Sequence, residues 1–112
     1  MFVKSSNVGY RSALAGIEQK TLAYGDKSLM VEFRLQKGVV LPLHSHPHEQ
    51  TGYLMQGQIR LTIGADIHDV LPGDSWCIPG DVLHGAEIVE ESVAVEVFAP
   101  LREDYLPREQ LA

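Results

Sequence analysis

The sequence of 112 residues contains one cysteine, Cys77, and this excludes an intrachain disulfide. Cys77 lies between Trp76 and Ile78 in an apolar stretch, which predicts a buried structural thiol. A chain without disulfides is typical of a reducing compartment. The length suits a single domain, and such a domain buries roughly two-thirds of its unfolded surface and needs no covalent cross-link.

Positive charge is scarce, because nine Lys and Arg stand against fifteen Asp and Glu and give a net charge of −6. This balance argues against nucleic acid and anionic membrane surfaces as partners. No segment approaches the ~20 apolar residues of a membrane span, and residues 1–7 lack the apolar core of a signal peptide. We therefore expect a soluble, cytoplasmic protein.

The apolar residues follow the period of a half-buried strand. From Leu29 to Leu35 every second residue is apolar, and residues 59–63 repeat the pattern before Gly64-Ala65-Asp66 turns the chain into a second strand of a hairpin. Turn signals, among them Gly57 and Glu90-Glu91, leave elements of mostly four to eight residues, which is too short for a helix of useful length. The sequence predicts an all-β sandwich or closed barrel.

Three segments differ in pattern. Residues 1–16 have weak periodicity and are predicted to form an arm or a strand, and residues 17–100 carry the barrel. Residues 101–112 form a charged tail that contains Pro107 and has room for at most one helical turn.

Three of the five histidines lie between His44 and His48. Residues two apart in a strand share a face, so His44 and His46 can offer two imidazole nitrogens to one metal, and Gln50 keeps the same parity if the strand continues. His84 follows another turn signal and can supply a third imidazole from across the barrel. The alternative is a histidine-bearing surface loop that binds no metal.

The other two histidines have weaker cases. His48 shares the ligand parity but directly follows Pro47, which disfavours a regular strand there. His68 lies in the polar phase of the predicted hairpin, and we expect it to be solvated.

Two spaced motifs resemble those of the cupin family. The first runs Gly38, five residues, His44, one, His46, three, Gln50, six, Gly57, with Gln50 where cupins usually have Glu. The second runs Gly73, five residues, Pro79, one, Asp81, two, His84, with Asp81 in place of the usual Gly. The resemblance implies a single cupin domain, with the jelly-roll barrel extending over most of the chain.

The resemblance also implies that His44, His46, Gln50 and His84 bind one divalent ion, with Ni, Zn, Mn and Fe as candidates. Three imidazoles and an amide oxygen are neutral ligands and leave the ion its full double charge, whereas the usual Glu would reduce the net charge by one. Such a centre is a stronger Lewis acid toward an anionic or carbonyl-bearing ligand.

Glu96 interrupts the otherwise apolar stretch 92–100 and shares a strand face with Ala94 and Phe98. An ionised carboxylate is costly in apolar surroundings, so Glu96 should either meet a cation or have a raised pKa suited to proton transfer. The alternative is an outward-facing Glu at the sheet surface or at a subunit contact.

A closer resemblance concerns the KdgF-type small cupins of pectin and alginate degradation. It rests on residues 44–50, on Gly52-Tyr53 and on the ending Val97-Phe98-Ala99-Pro100-Leu101-Arg102-Glu103-Asp104. Those proteins convert unsaturated uronate monosaccharides into linear keto sugars by means of a metal, an acidic residue, a Phe and an Arg. The resemblance assigns these roles to Glu96, which stands where the family has Asp, and to Phe98 and Arg102.

In this hypothesis the small-molecule substrate is an anionic sugar. The metal polarises its oxygens, Glu96 relays a proton, Arg102 holds the carboxylate and Phe98 forms a wall. Without the resemblance, Arg102 would be read as a solvated surface residue. Two other functions stay open, an iron-dependent dioxygenase and a non-catalytic barrel that binds a sugar or another small molecule.

The near-continuous apolar run from Val93 to Phe98 predicts a strand covered on both faces, with one cover supplied by a second subunit. We therefore expect a homodimer. The pattern does not decide whether four further residues face the interior or the outside, namely Tyr53, Met55, Arg60 and Trp76.

Overall fold

The computed structural model describes residues 1–107 and builds them mainly from antiparallel strands. The strands are β1 (Arg11–Leu14), β2 (Ile17–Tyr24), β3 (Leu29–Leu35), β4 (Val40–His44), β5 (Glu49–Ile63), β6 (Asp66–Val70), β7 (Ser75–Ile78) and β8 (His84–Ala99). A 3-10 turn, Glu103–Tyr105, is the one helical element in this part of the chain, so the all-β prediction is confirmed. Within it, no helix has the length and apolar character needed to cross a membrane.

The two longest strands, β5 and β8, each contribute to two sheets. Residues 49–54 of β5 pair with residues 94–99 of β8, flanked by β7 on one side and by β3, β2 and β1 on the other. Residues 58–63 of β5 pair with residues 84–90 of β8, flanked by β6 and β4. The arrangement is a jelly roll, and side chains from both sheets form its main core, Ile17, Leu35, Leu54, Ile59, Leu61, Val70, Ile78, Ile88 and Ala94.

The expectation of strands of four to eight residues is wrong for β5 and β8, which have 15 and 16 residues. Gly57 and Glu90-Glu91 lie inside these strands and do not end them. The pairing register shifts between Leu54 and Ile59, and Gly57 adopts a φ of 93° that residues with a Cβ rarely reach. Such bulges bend a strand without ending its pairing, so these turn signals mark the bends between the two sheets.

Two local predictions are confirmed. In β3, Leu29, Val31 and Leu35 are buried, while Met30 and Arg34 are exposed. The hairpin forms between β5 and β6 around Gly64-Ala65.

The prediction of a buried Cys77 is wrong, because its thiol is exposed. In β7, alternation directs the flanking Trp76 and Ile78 toward the interior and Cys77 toward the outside. An apolar stretch of three residues therefore does not imply burial of its central member.

The two ends of the chain pack differently. Residues 1–10 form no strand or helix, and β1 pairs with β2. The predicted tail contributes the 3-10 turn, and its last residues, 108–112, lie outside the described part of the chain.

Candidate metal centre and active site

Three of the predicted ligands, His44, His46 and His84, come together along the cavity; His44 is exposed, His46 is half-buried and His84 is buried. One ring nitrogen from each lies within 4.8 Å of the others. His44 ends β4 and pairs directly with His84, the first residue of β8, so the β4–β8 pairing brings together residues that are far apart in sequence.

The expectation that His46 lies on the same strand as His44 is wrong, because β4 ends at His44 and His46 lies in the loop before β5. The loop of the second motif holds it instead, since the backbone N–H of Asp81 donates to the His46 carbonyl over 2.8 Å. Asp81 has a φ of 67°, in the left-handed region that Gly and Asp tolerate better than most residues. The conformation is therefore compatible with Asp at a position where the motif usually has Gly.

Backbone carbonyls fix the orientation of all three rings. The Nδ1 atoms of His44, His46 and His84 lie 2.9, 3.0 and 2.9 Å from the carbonyl oxygens of Pro42, His48 and Val82. When Nδ1–H donates to a carbonyl, the Nε2 lone pair is left for a metal. Burial lowers the pKa of His46 and of His84 and so favours the neutral form that ligates metals.

Gln50, a buried residue of β5, connects this cluster to Glu96. Its side-chain N–H donates to the Glu96 carboxylate, and this fixes the amide so that Oε1 lies 2.9 Å from Nε2 of His46. With the proton on Nδ1 of His46, both facing atoms carry lone pairs and repel each other unless a cation lies between them. The residues therefore fit a divalent ion bound by three imidazole nitrogens and one amide oxygen.

Glu96 lies on β8 opposite Val31 of β3 and Gly52 of β5, and its side chain lines the interior cavity. Burial raises the pKa of Glu96 to about 7, although Gln50, Trp76 and Arg102 each act to lower it. The Trp76 indole N–H contributes to that lowering but falls short of hydrogen-bond geometry. A carboxyl with a pKa near neutrality can both accept and return a proton.

The tail closes one side of the cavity. The Arg102 side chain is only 17% exposed, and its guanidinium carbon lies 3.9 Å from the Tyr105 ring centroid and 5.2 Å from that of Phe98. Arg102 also pairs with Asp104 over 2.7 Å, and the Thr21 hydroxyl donates to the Tyr105 carbonyl. The structure thus places Arg102 at the cavity and not on a solvated surface.

The cavity has a volume of about 300 Å³, at the small end of ligand sites. Most of its lining is apolar and aromatic, including Phe98, which is 2% exposed. Its titratable and amide side chains are His44, His46, His84, Gln19, Gln50, Glu96, Arg102 and Tyr105. The seven residues predicted to bind metal or to act in catalysis all line this cavity, namely His44, His46, Gln50, His84, Glu96, Phe98 and Arg102. His48 lies outside the convergent histidine cluster, and His68 is exposed on β6.

Beyond the seven predicted residues, the structure places three further side chains with a hydrogen-bonding group at the cavity, those of Trp76, Tyr105 and Gln19. Trp76 faces the interior over Gly52, where a Cβ would come within 2.2 Å of the indole, while Tyr53, Met55 and Arg60 lie outside. Tyr105 in the tail and Gln19 in β2 were not predicted. Alternation could have revealed Gln19, because it shares the face of Ile17, but no local pattern marks Tyr105.

Comparisons with known proteins agree with this geometry. The family model described as "Cupin domain" matches residues 31–99. The solved structure of KdgF from Halomonas sp. superposes with a TM-score of 0.89 at 28% identity, covering 95% of this chain and 98% of that one. An RmlC-like cupin from Shewanella frigidimarina NCIMB 400 gives a TM-score of 0.88 at 25% identity, covering 94% and 95%.

A curated relative is oxalate decarboxylase OxdC from Bacillus subtilis (strain 168), which is 30% identical in an alignment of 77 residues that covers 64% of this chain. The match spans 20% of the length of that larger protein. It therefore corresponds to one part of the decarboxylase.

Proposed function

This chain belongs to the cupin domain family, and we propose that it is a metal-dependent enzyme that converts 4,5-unsaturated uronate monosaccharides into linear keto sugars. The observation that carries the proposal is Glu96, a carboxyl with a pKa of about 7 that is joined through Gln50 to the histidine cluster inside the cavity. The likeness to KdgF from Halomonas supports the choice of substrate class.

The proposed reaction is an isomerisation that needs a mobile proton. The substrate is a cyclic enol ether with an anomeric hydroxyl. Removal of the hydroxyl proton lets the ring C–O bond break, which gives an aldehyde and an enolate, and protonation of the former alkene carbon then gives the ketone. Glu96 takes up the first proton and returns one to carbon, so a single carboxyl completes the cycle.

The remaining residues bind and orient the sugar. Arg102 donates paired hydrogen bonds to the substrate carboxylate, and Phe98 and Tyr105 form an aromatic wall that excludes water. Their ring centroids lie 5.3 Å apart, nearly perpendicular, and the Phe98 ring lies 6.0 Å from that of His46. A divalent ion held by His44, His46, Gln50 and His84 would supply Lewis-acid polarisation of the substrate oxygens.

The test uses protein of measured metal content and freshly prepared monosaccharides from pectate lyase and alginate lyase. Loss of their conjugated ultraviolet absorbance is followed against the spontaneous rate, and NMR identifies the product. We expect acceleration by the metal-loaded protein, its loss after chelation and its recovery when the metal is returned.

A rate equal to the spontaneous one, with metal bound, would contradict the proposal. Oxygen uptake by the iron-loaded protein would then indicate a dioxygenase. Binding of a sugar without turnover or oxygen uptake would indicate a ligand-binding barrel.

A further inference from the structure

Gln19 is a buried polar residue for which the proposed mechanism has no use. It lies on β2, is 3% exposed and lines the cavity. Its Nε2 atom is buried and has no hydrogen-bond partner among residues 1–107. An amide in that state is destabilising, since it has lost its water without gaining another acceptor.

The surroundings of Gln19 do not call for an amide. Its neighbour on the same face of β2 is the core residue Ile17, and its partner across β3 is Phe33. Among the cavity-lining residues that β1, β2 and β3 supply within residues 1–107, Gln19 alone has a polar side chain, the others being Ala13, Leu14, Ile17, Phe33 and Leu35. An apolar residue would suit this wall if packing were its only role.

Gln19 is also separated from the reacting groups. In the sheet order, β3 lies between β2 and β8, so the backbones that carry Gln19 and Glu96 are about 10 Å apart across the strands. A sugar between the two walls would present its reacting edge to Glu96 and a ring hydroxyl to Gln19.

We propose that Gln19 is a specificity-determining residue whose Nε2–H donates to a ring hydroxyl oxygen of the bound sugar. That the sugar is a uronate rests on the proposed function. Lyase cleavage removes the stereochemistry at C4 and C5, so the pectin and alginate products differ in the relative configuration of the hydroxyls at C2 and C3. A donor fixed on the wall away from the reacting edge can distinguish these configurations.

The test compares wild type with Gln19→Met, which keeps the length of the side chain and removes the amide. Gln36→Leu, at an exposed glutamine after β3, is the matched control. Three quantities are measured on metal-loaded protein: the Tm without ligand, the Kd for D-galacturonate and D-mannuronate by ligand-observed NMR, and KM and kcat for the two unsaturated products.

For Gln19→Met we expect a Tm equal to or above that of wild type, because an unpaired amide has been removed. We expect the affinity for the preferred uronate to fall about tenfold, the size of one neutral hydrogen bond. KM should rise more than kcat falls, and the ratio of kcat/KM between the two products should move toward one. Gln36→Leu should match wild type in binding and turnover.

Wild-type affinity and preference in Gln19→Met would overturn the inference, and so would a lowered Tm, which would show a structural role. Failure of wild type to bind either uronate would overturn it as well. Uronate binding that depends on Gln19 but is not accompanied by ring opening would instead contradict only the proposed function. A Gln19→Asn variant, which withdraws the amide by one methylene, is measured in parallel and should also lose affinity for the preferred uronate.

Discussion

The two faces of β8 depart in opposite ways from an ordinary half-buried strand. Its inward face combines the buried Ala94 and Phe98 with Glu96, whose pKa burial raises to about 7. Its outward face carries Val93 and Val95, which remain partly exposed. Buried polar groups and exposed apolar surface are the informative exceptions to the usual distribution. The carboxyl on the inward face indicates a reaction site, and the apolar side chains on the outward face indicate contact with another protein surface.

The surface formed by the outward-facing residues of β8 continues onto the neighbouring strands β3 and β5. Val97 of β8 is paired with Met30 and Thr51, and Val95 with Tyr53 on one side and with Glu32 on the other. We call the resulting surface the outer apolar patch, made up of Met30, Tyr53, Met55, Val93, Val95 and Val97. Three of its members, Met30, Tyr53 and Met55, are 38%, 49% and 54% exposed.

The largest effect on activity is expected for His46→Ala, a substitution in the cavity that the inward face of β8 lines. Removing one of three converging imidazoles should abolish tight metal binding and return ring opening to the spontaneous rate, a loss of at least about a thousandfold. Metal analysis and the absorbance assay measure both effects. The matched control is His68→Ala, since His68 is exposed on β6. Full activity of His46→Ala without metal would contradict the account of the inward face.

A second effect concerns stability and pH. Because the pKa of Glu96 is about 7 in the folded state and about 4.5 in the unfolded chain, the metal-free folded protein binds an extra proton between those pH values. The contribution of Glu96 to the free energy of unfolding is therefore fully present below about pH 4.5 and is lost as the pH rises through 7. In Glu96→Gln the free energy of unfolding should lack this decline, which is about 3 kcal/mol in wild type.

Urea unfolding of metal-free wild type and Glu96→Gln across this pH range measures the difference. Burial lowers the pKa of His46 and of His84, and this gives the opposite slope in both proteins, so it cancels in the comparison. Parallel stability curves for the two proteins would show that Glu96 titrates with its ordinary pKa.

The smallest effect is expected on the outward face, where we propose that two copies of the chain meet as a homodimer through the outer apolar patch. Val95→Lys would bury a charge in that interface and should weaken dimerisation by about tenfold or more. Sedimentation velocity over a range of concentrations measures it. Val40→Lys, at a 64% exposed valine of β4, is the control. A wild-type monomer, or an unaffected Val95→Lys dimer, would contradict the proposal.

The sequence predicts which residues form the site better than it predicts how those residues are positioned. The spacing of the cupin-like motifs selected His44, His46, Gln50 and His84. Strand alternation made Glu96 a candidate, and the family resemblance assigned its role. The loop position of His46 could not be read from spacing, since it depends on a hydrogen bond from Asp81, far along the chain. Alternation alone also could not show that β5 and β8 continue through their bends.

The tail shows the same limit. Arg102 reaches the cavity because the tail folds back, with the Tyr105 carbonyl held by Thr21 of β2. Nothing in the charged sequence after Pro100 encodes that contact locally, so only the family resemblance could assign a role to Arg102. Tyr105, which packs against the rings of Phe98 and Phe33, had no comparable signal.

The most direct test of the central claim is the ring-opening rate of metal-loaded Glu96→Gln. Gln keeps the size of Glu96 but cannot relay a proton, so the account predicts a fall of about 10²- to 10⁴-fold with the metal content unchanged. Glu91→Gln, at an exposed position of the same strand, should retain the wild-type rate. A Glu96→Gln enzyme that opens the sugar at the wild-type rate would contradict the claim that the cavity-lining carboxyl of β8 relays the proton.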